Sequence, residues 1–86
     1  MTDLVVLTEY LVKRLVTNPD VISVKEVSNE NNSITIQILV NEEDMPSLIG
    51  RNGSTINAIR TIVQASSYIN NKERVYINVD SIKKED

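Results

Sequence analysis

Glycine occurs at only two positions in this chain, Gly50 and Gly53, within the stretch Leu48-Ile49-Gly50-Arg51-Asn52-Gly53-Ser54-Thr55-Ile56. Lacking a Cβ, glycine suits places where the backbone takes φ > 0 or where another chain must come close. A sequence that confines both glycines to one loop, between two apolar-patterned segments, places a sharp reversal there. Arg51 stands at its tip, and helical periodicity begins at Ser54. The first amides of a helix have no intrahelical partner and lie at the positive end of its dipole, which suits a phosphate. The loop therefore predicts a clamp for a nucleic-acid backbone, with single-stranded RNA as the leading ligand.

The flanking pattern limits the fold. Residues 3–17 read as a helix, with Leu4, Leu7, Leu11 and Leu15 at helical spacing and Val5, Val12 and Val16 widening the stripe. Thr2 is its expected N-cap, Lys13 and Arg14 suit its C-terminal end, and Asn18-Pro19-Asp20 is expected to stop it. Residues 21–27 read as a strand whose imperfect alternation, Ile22 and Val24 against Val27, calls for a bulge. An asparagine-rich turn at 28–33 leads to the clean alternation of Ile34, Ile36, Ile38 and Val40, predicting an antiparallel hairpin. Asn41-Glu42-Glu43-Asp44 precedes a short helix ending at Ile49, and Pro46 favours Asp44 as its cap. A longer helix follows over 54–69, with Ile56, Ile59 and Val63 in one stripe and Ile62, Ala65 and Ile69 widening it. Arg74 to Asp80 gives a third strand, and residues 81–86 read as a charged tail. The order α-β-β-α-α-β predicts a two-layer α+β domain with a three-stranded sheet.

Size and composition narrow the function. Eighty-six residues allow one domain, read as residues 1–86 with a core over about 4–80. There is no cysteine and no histidine, which removes thiolate chemistry together with the commonest general base and metal ligand. Ser54 has no evident base, so an enzyme is the least favoured class, and no cofactor is expected. The acidic run at 41–44 reads as helix-capping rather than as a metal site. The start of the chain is acidic and its first apolar stretch is broken by Glu9, Lys13 and Arg14, which predicts a cytoplasmic protein without a membrane segment. The net charge of -3 is unevenly spread. Residues 1–44 carry a net -5, residues 45–76 a net +3 from Arg51, Arg60, Lys72 and Arg74 against Glu73, and the last ten a net -1. The positive field thus surrounds the glycine loop.

The run Leu48-Ile49-Gly50-Arg51-Asn52-Gly53-Ser54-Thr55-Ile56-Asn57-Ala58-Ile59 resembles the signature of the KH domain. With the length, the element order and the run Ala58-Ile59-Arg60-Thr61, the chain from Leu4 to about Asp80 is similar to short bacterial single-KH proteins of the KhpA type, which have the type II KH fold. The resemblance implies that residues 50–53 contact the sugar-phosphate backbone of about four nucleotides. It also implies that bases lie in an adjacent groove, lined in part by Ile49, Ile56 and Ile59. The RNA-binding set is then Ile49, Gly50, Arg51, Asn52, Gly53, Ser54, Ile56, Asn57, Arg60, Lys72 and Arg74. With only Tyr10, Tyr68 and Tyr76 as aromatics, a stacking platform is not available. Pro46 and Ser47 stand where the family pattern has a glycine and a basic residue, which implies modest, salt-dependent affinity.

Such proteins act as RNA chaperones or post-transcriptional regulators, as homodimers or with a larger KH-containing partner, and the resemblance implies the same here. No small-molecule substrate is expected. A protein-interaction adaptor on the same fold with little RNA affinity is the alternative. A helix-hairpin-helix DNA binder fits less well, since its glycines stand two apart.

Overall fold

The computed structural model describes residues 3–70 and 73–82. The first helix, α1 (Leu4–Lys13), is followed by β1 (Ser23–Glu30) and β2 (Ser33–Asn41). A 3-10 turn (Glu42–Asp44) leads into α2 (Met45–Ile49), and a second 3-10 turn (Arg51–Gly53) into α3 (Ser54–Asn70). The last strand, β3 (Arg74–Ile82), completes a three-stranded sheet in the order β1-β2-β3. β1 pairs antiparallel with β2, and β2 pairs parallel with β3. This is the expected α+β arrangement, with β3 carried on through Ser81 and Ile82 into the span read as tail.

One face of the central strand makes the core. Ile34, Ile36, Ile38 and Val40 are buried while Thr35, Gln37 and Leu39 are only half-buried, as the period-2 pattern requires. Leu4 and Val12 of α1, Leu48 of α2, Ile56, Ile59 and Val63 of α3, and Ile77 of β3 close on that face. The hairpin turns at Asn31 and Asn32, both left-handed with φ of 52° and 61°. Two positive-φ residues give the turn the hand that matches strand twist, and asparagine tolerates that conformation. The bulge lies at Val27, where the register passes from Glu26↔Ile36 to Ser28↔Thr35. It leaves Val27 half exposed rather than returning it to the core.

Both long helices differ from the expected stripe in informative ways. In α1 the buried line is Leu4, Thr8 and Val12, and Leu15 is exposed because the helix ends at Lys13. Thr8 tolerates burial because its hydroxyl donates to the Leu4 carbonyl at 2.7 Å. The N-cap is Asp3, whose Oδ1 accepts from the Val5 and Val6 amides at 3.0 and 3.2 Å, not Thr2, which lies outside the described residues. In α3 the buried line is Ile56, Ile59, Val63 and Ser67, so Ile62, Ala65 and Ile69 face outward.

Asp44 anchors the chain that follows α1. The helix ends well before Pro19, and the chain beyond it is held by a carboxylate from the other side of the hairpin. Asp44 Oδ1 accepts from the Thr17 amide at 2.9 Å and the Thr17 hydroxyl at 2.7 Å, and Oδ2 accepts from the Asn18 amide and Nδ2 at 3.1 Å. Asp44 stands at the N-cap position of α2 without capping it through its side chain, and Asn41 caps the preceding turn by accepting from the Glu43 amide. The Thr17 hydroxyl, then the Thr17 amide, lower the Asp44 pKa to about 2, outweighing the desolvation that would raise it.

Candidate nucleic-acid interface

The glycine loop is a short, tightly specified reversal between α2 and α3. Gly50 ends α2 with its amide donating to the Pro46 carbonyl at 2.9 Å, and takes φ 76° and ψ 175°. That region is open essentially to glycine alone. A β-carbon there would also lie 2.7 Å from Thr55 Cβ and 2.8 Å from the Thr55 amide nitrogen, so the first turn of α3 occupies its place. Gly53 is also left-handed, at φ 76°, but a β-carbon there would meet only Asn57 Nδ2, at an ordinary contact distance of 3.7 Å. Its amide donates to the Gly50 carbonyl at 3.2 Å, which closes the loop on itself. Asn52 lies between them in the left-handed region, at φ 55° and ψ 28°.

This backbone holds Arg51 and Asn52 outward at the start of α3. Both are exposed, and neither side chain makes a hydrogen bond or ion pair among the described residues. Ser54, the first residue of α3, is exposed as well. The loop therefore combines an uncommitted guanidinium and carboxamide with the positive end of a 17-residue helix.

The other sequence-assigned residues fall into separate groups. Ile49 is half-buried and packs on the core. Ile56 and Ile59 are 4% and 3% exposed and belong to the core, and Ile59 also lines a groove between α1 and α3. Asn57 and Arg60 lie one and two turns into α3 and are tied to the fold. Arg60 donates to Asn57 Oδ1 at 3.0 Å and to the Ile77 carbonyl on β3 at 3.2 Å. Arg74 pairs with Ser33 at the hairpin end of the sheet. It stands beyond the C-terminal end of α3, a helix about 25 Å long at ~1.5 Å per residue, so it is not gathered with the loop. Lys72 lies outside the described residues.

Two residues that sequence reasoning did not assign to the site belong beside it. Arg14 lines a groove between α1 and α3 together with Ser54, Thr55, Leu11, Leu15 and Ile62, which places a second cation next to the loop. Its guanidinium lies 5.0 Å from the centroid of the Tyr10 ring and donates to the Tyr10 hydroxyl at 2.8 Å. The Tyr10–Arg14 spacing of i, i+4 was the available signal. Thr55 is the other, as the residue that reserves Gly50.

Among the described residues there is no group of three or more His, Cys, Asp or Glu able to hold a metal ion. Nor is any described helix long and apolar enough to cross a membrane.

The KhpA/KhpB KH-domain family matches residues 6–79 of the chain. A curated relative named RNA-binding protein KhpA, from Caldanaerobacter subterraneus subsp. tengcongensis, is 38% identical over 73 residues, covering 85% of this chain and 95% of the relative. Another of the same name, from Clostridium perfringens, is 41% identical over 69 residues, covering 80% of this chain and 91% of its own. Among solved structures, a variant of Aquifex aeolicus Era bound to GDP.AlF4- superposes with a TM-score of 0.62 at 15% identity. That likeness covers 91% of this chain and 29% of the Era chain, and concerns the fold alone.

Proposed function

Because the chain belongs to the KhpA/KhpB KH-domain family, we propose that it is a non-enzymatic RNA-binding protein whose 50–53 loop holds the backbone of single-stranded RNA. The observation that carries this reading is the reservation of Gly50 by Thr55. It fixes a glycine-only backbone that turns Arg51 and Asn52 outward over the start of α3. The name these relatives carry, RNA-binding protein, supports RNA as the ligand. Arg14, across the mouth of the α1–α3 groove, supplements the positive field.

Binding is electrostatic and modest. Two cations and one helix start engage few phosphates, while the chain as a whole is acidic. The protein acts in the cytoplasm as an RNA chaperone or post-transcriptional regulator, with residues 1–86 as one KH unit. It works in pairs, as a homodimer or with a larger KH-containing protein, because one weak site gains from a second held nearby. The apolar α1–α3 groove, with Leu15 and Ile62 exposed at its rim, supports that reading.

Fluorescence anisotropy with a labelled single-stranded RNA across a salt series tests the assignment. Binding should weaken linearly in log–log form, with a slope of roughly -0.7 per phosphate neutralised. An absence of RNA binding at low salt would overturn it.

A further inference from the structure

Asn52 is the one asparagine of this chain followed by glycine. It is exposed, and its carboxamide makes no hydrogen bond among the described residues. The next residue, Gly53, carries no β-carbon, so no side chain on it stands between its amide nitrogen and the Asn52 carboxamide. These are the conditions under which an asparagine side chain cyclises onto the following backbone. We propose that Asn52 is a site of spontaneous deamidation, a slow chemical switch that places a carboxylate beside Arg51 and takes the loop's net charge from +1 to zero.

The step balances with water alone. Hydroxide removes the Gly53 amide proton, and the nitrogen attacks Asn52 Cγ. The N–Cγ bond forms, the Cγ–Nδ2 bond breaks, and the side-chain nitrogen takes up a proton and leaves as ammonia. Water then opens the cyclic imide at either carbonyl, giving aspartate or isoaspartate. Nothing is oxidised or reduced.

The same loop geometry sets the rate. At ψ 28° Asn52 lies in a closed left-handed turn, and the Gly53 amide is engaged with the Gly50 carbonyl at 3.2 Å. Cyclisation requires that bond to break and ψ to rotate, so the folded loop reacts more slowly than the free peptide. RNA seated on the loop slows it further. Once formed, the carboxylate stands beside Arg51 and repels phosphate, while isoaspartate also lengthens the backbone between the two glycines. The consequence for RNA rests on the function proposed above, whereas the chemistry does not.

The test is to age the purified protein at neutral and mildly alkaline pH, with and without a saturating single-stranded RNA oligonucleotide. Peptide mass spectrometry follows Asn52, and RNA affinity is measured on fresh and aged material. Conversion at Asn52 should be faster at the higher pH and slower with RNA bound. The aged fraction should bind RNA roughly tenfold more weakly at low salt, matching a folded Asn52→Asp variant. In Asn52→Gln the affinity, whatever its starting value, should stay constant through the incubation. No detectable conversion at Asn52 in the folded protein, long after a free peptide spanning residues 48–56 is fully converted, would overturn the proposal. So would affinity lost equally in aged Asn52→Gln. If fresh protein binds no RNA, the function falls while conversion at Asn52 still decides the modification site.

Discussion

Thr55 stands where a side chain on Gly50 would have to go. Its Cβ and amide nitrogen lie 2.7 and 2.8 Å from the position of a Gly50 β-carbon. The first turn of α3 and the end of α2 are thus packed backbone against side chain, and the loop between them has one available shape. Gly50→Ala should cost about 2–4 kcal/mol, combining positive-φ strain with overpacking. Gly53→Ala meets only an ordinary contact with Asn57 Nδ2 at 3.7 Å and should cost about 1–2 kcal/mol, from its φ alone. Urea denaturation of the two variants checks the ordering, and equal losses would contradict it.

Asp44 makes acid stability a readout of the α1–β1 connection. Its pKa is lowered to about 2 from 3.8, first by the Thr17 hydroxyl. The stability this carboxylate contributes is therefore fully present above about pH 4 and is lost as pH falls toward 2. Asp44→Asn should be less stable at neutral pH and should lose less of its stability between pH 4 and 2. Urea midpoints across that range test the difference, and parallel curves for the two proteins would refute the assignment.

Gln64 protects the outer edge of β3. Its Nε2 donates to the Glu73 carbonyl at 3.0 Å and its Oε1 accepts from the Val75 amide at 2.8 Å, so one side chain supplies both bonds of a missing strand neighbour. Gln64→Ala should destabilise by about 1–3 kcal/mol through the Val75 amide it leaves unpaired, since the Glu73 carbonyl keeps the Ser67 hydroxyl at 2.6 Å. Faster hydrogen exchange at Val75 than in wild type would identify the cause.

Ile62 is nearly half exposed on the rim of the α1–α3 groove, on a helix whose one charged residue, Arg60, is turned toward β3. If that groove pairs two molecules, Ile62→Asp should leave the helix intact and convert a dimer into a monomer in sedimentation velocity. Wild-type protein that sediments as a monomer at micromolar concentration would remove the homodimer from the account.

The sequence was most legible where pattern and conformation coincide. Alternation fixed β2, and the isolated glycines located the loop because a glycine-only backbone has no other residue to use. Asparagine at 31 and 32 likewise marked a left-handed turn. What stayed hidden depended on distant partners. The apolar residues of α3 outnumber those its core face can hold, and only tertiary packing decides that Ser67 turns inward and Ile62 outward. The end of α1 reads as a proline effect in sequence, but the bonds that hold the chain beyond it come from Asp44, 27 residues away from Thr17. Arg60 reads as a loop cation, yet a carbonyl 17 residues on claims one of its nitrogens. Charge counts along the chain could not anticipate either tie.

The most direct measurement is RNA binding by a loop variant that still folds. Labelled single-stranded RNA and matched DNA are titrated with wild type and with Arg51→Asp/Asn52→Asp, with circular dichroism confirming that the variant is folded. Wild type should bind RNA in a salt-sensitive manner, and the variant should bind at least about tenfold more weakly at low salt, since phosphate attraction becomes repulsion. A folded variant that binds RNA as tightly as wild type would contradict the claim that this loop is the clamp.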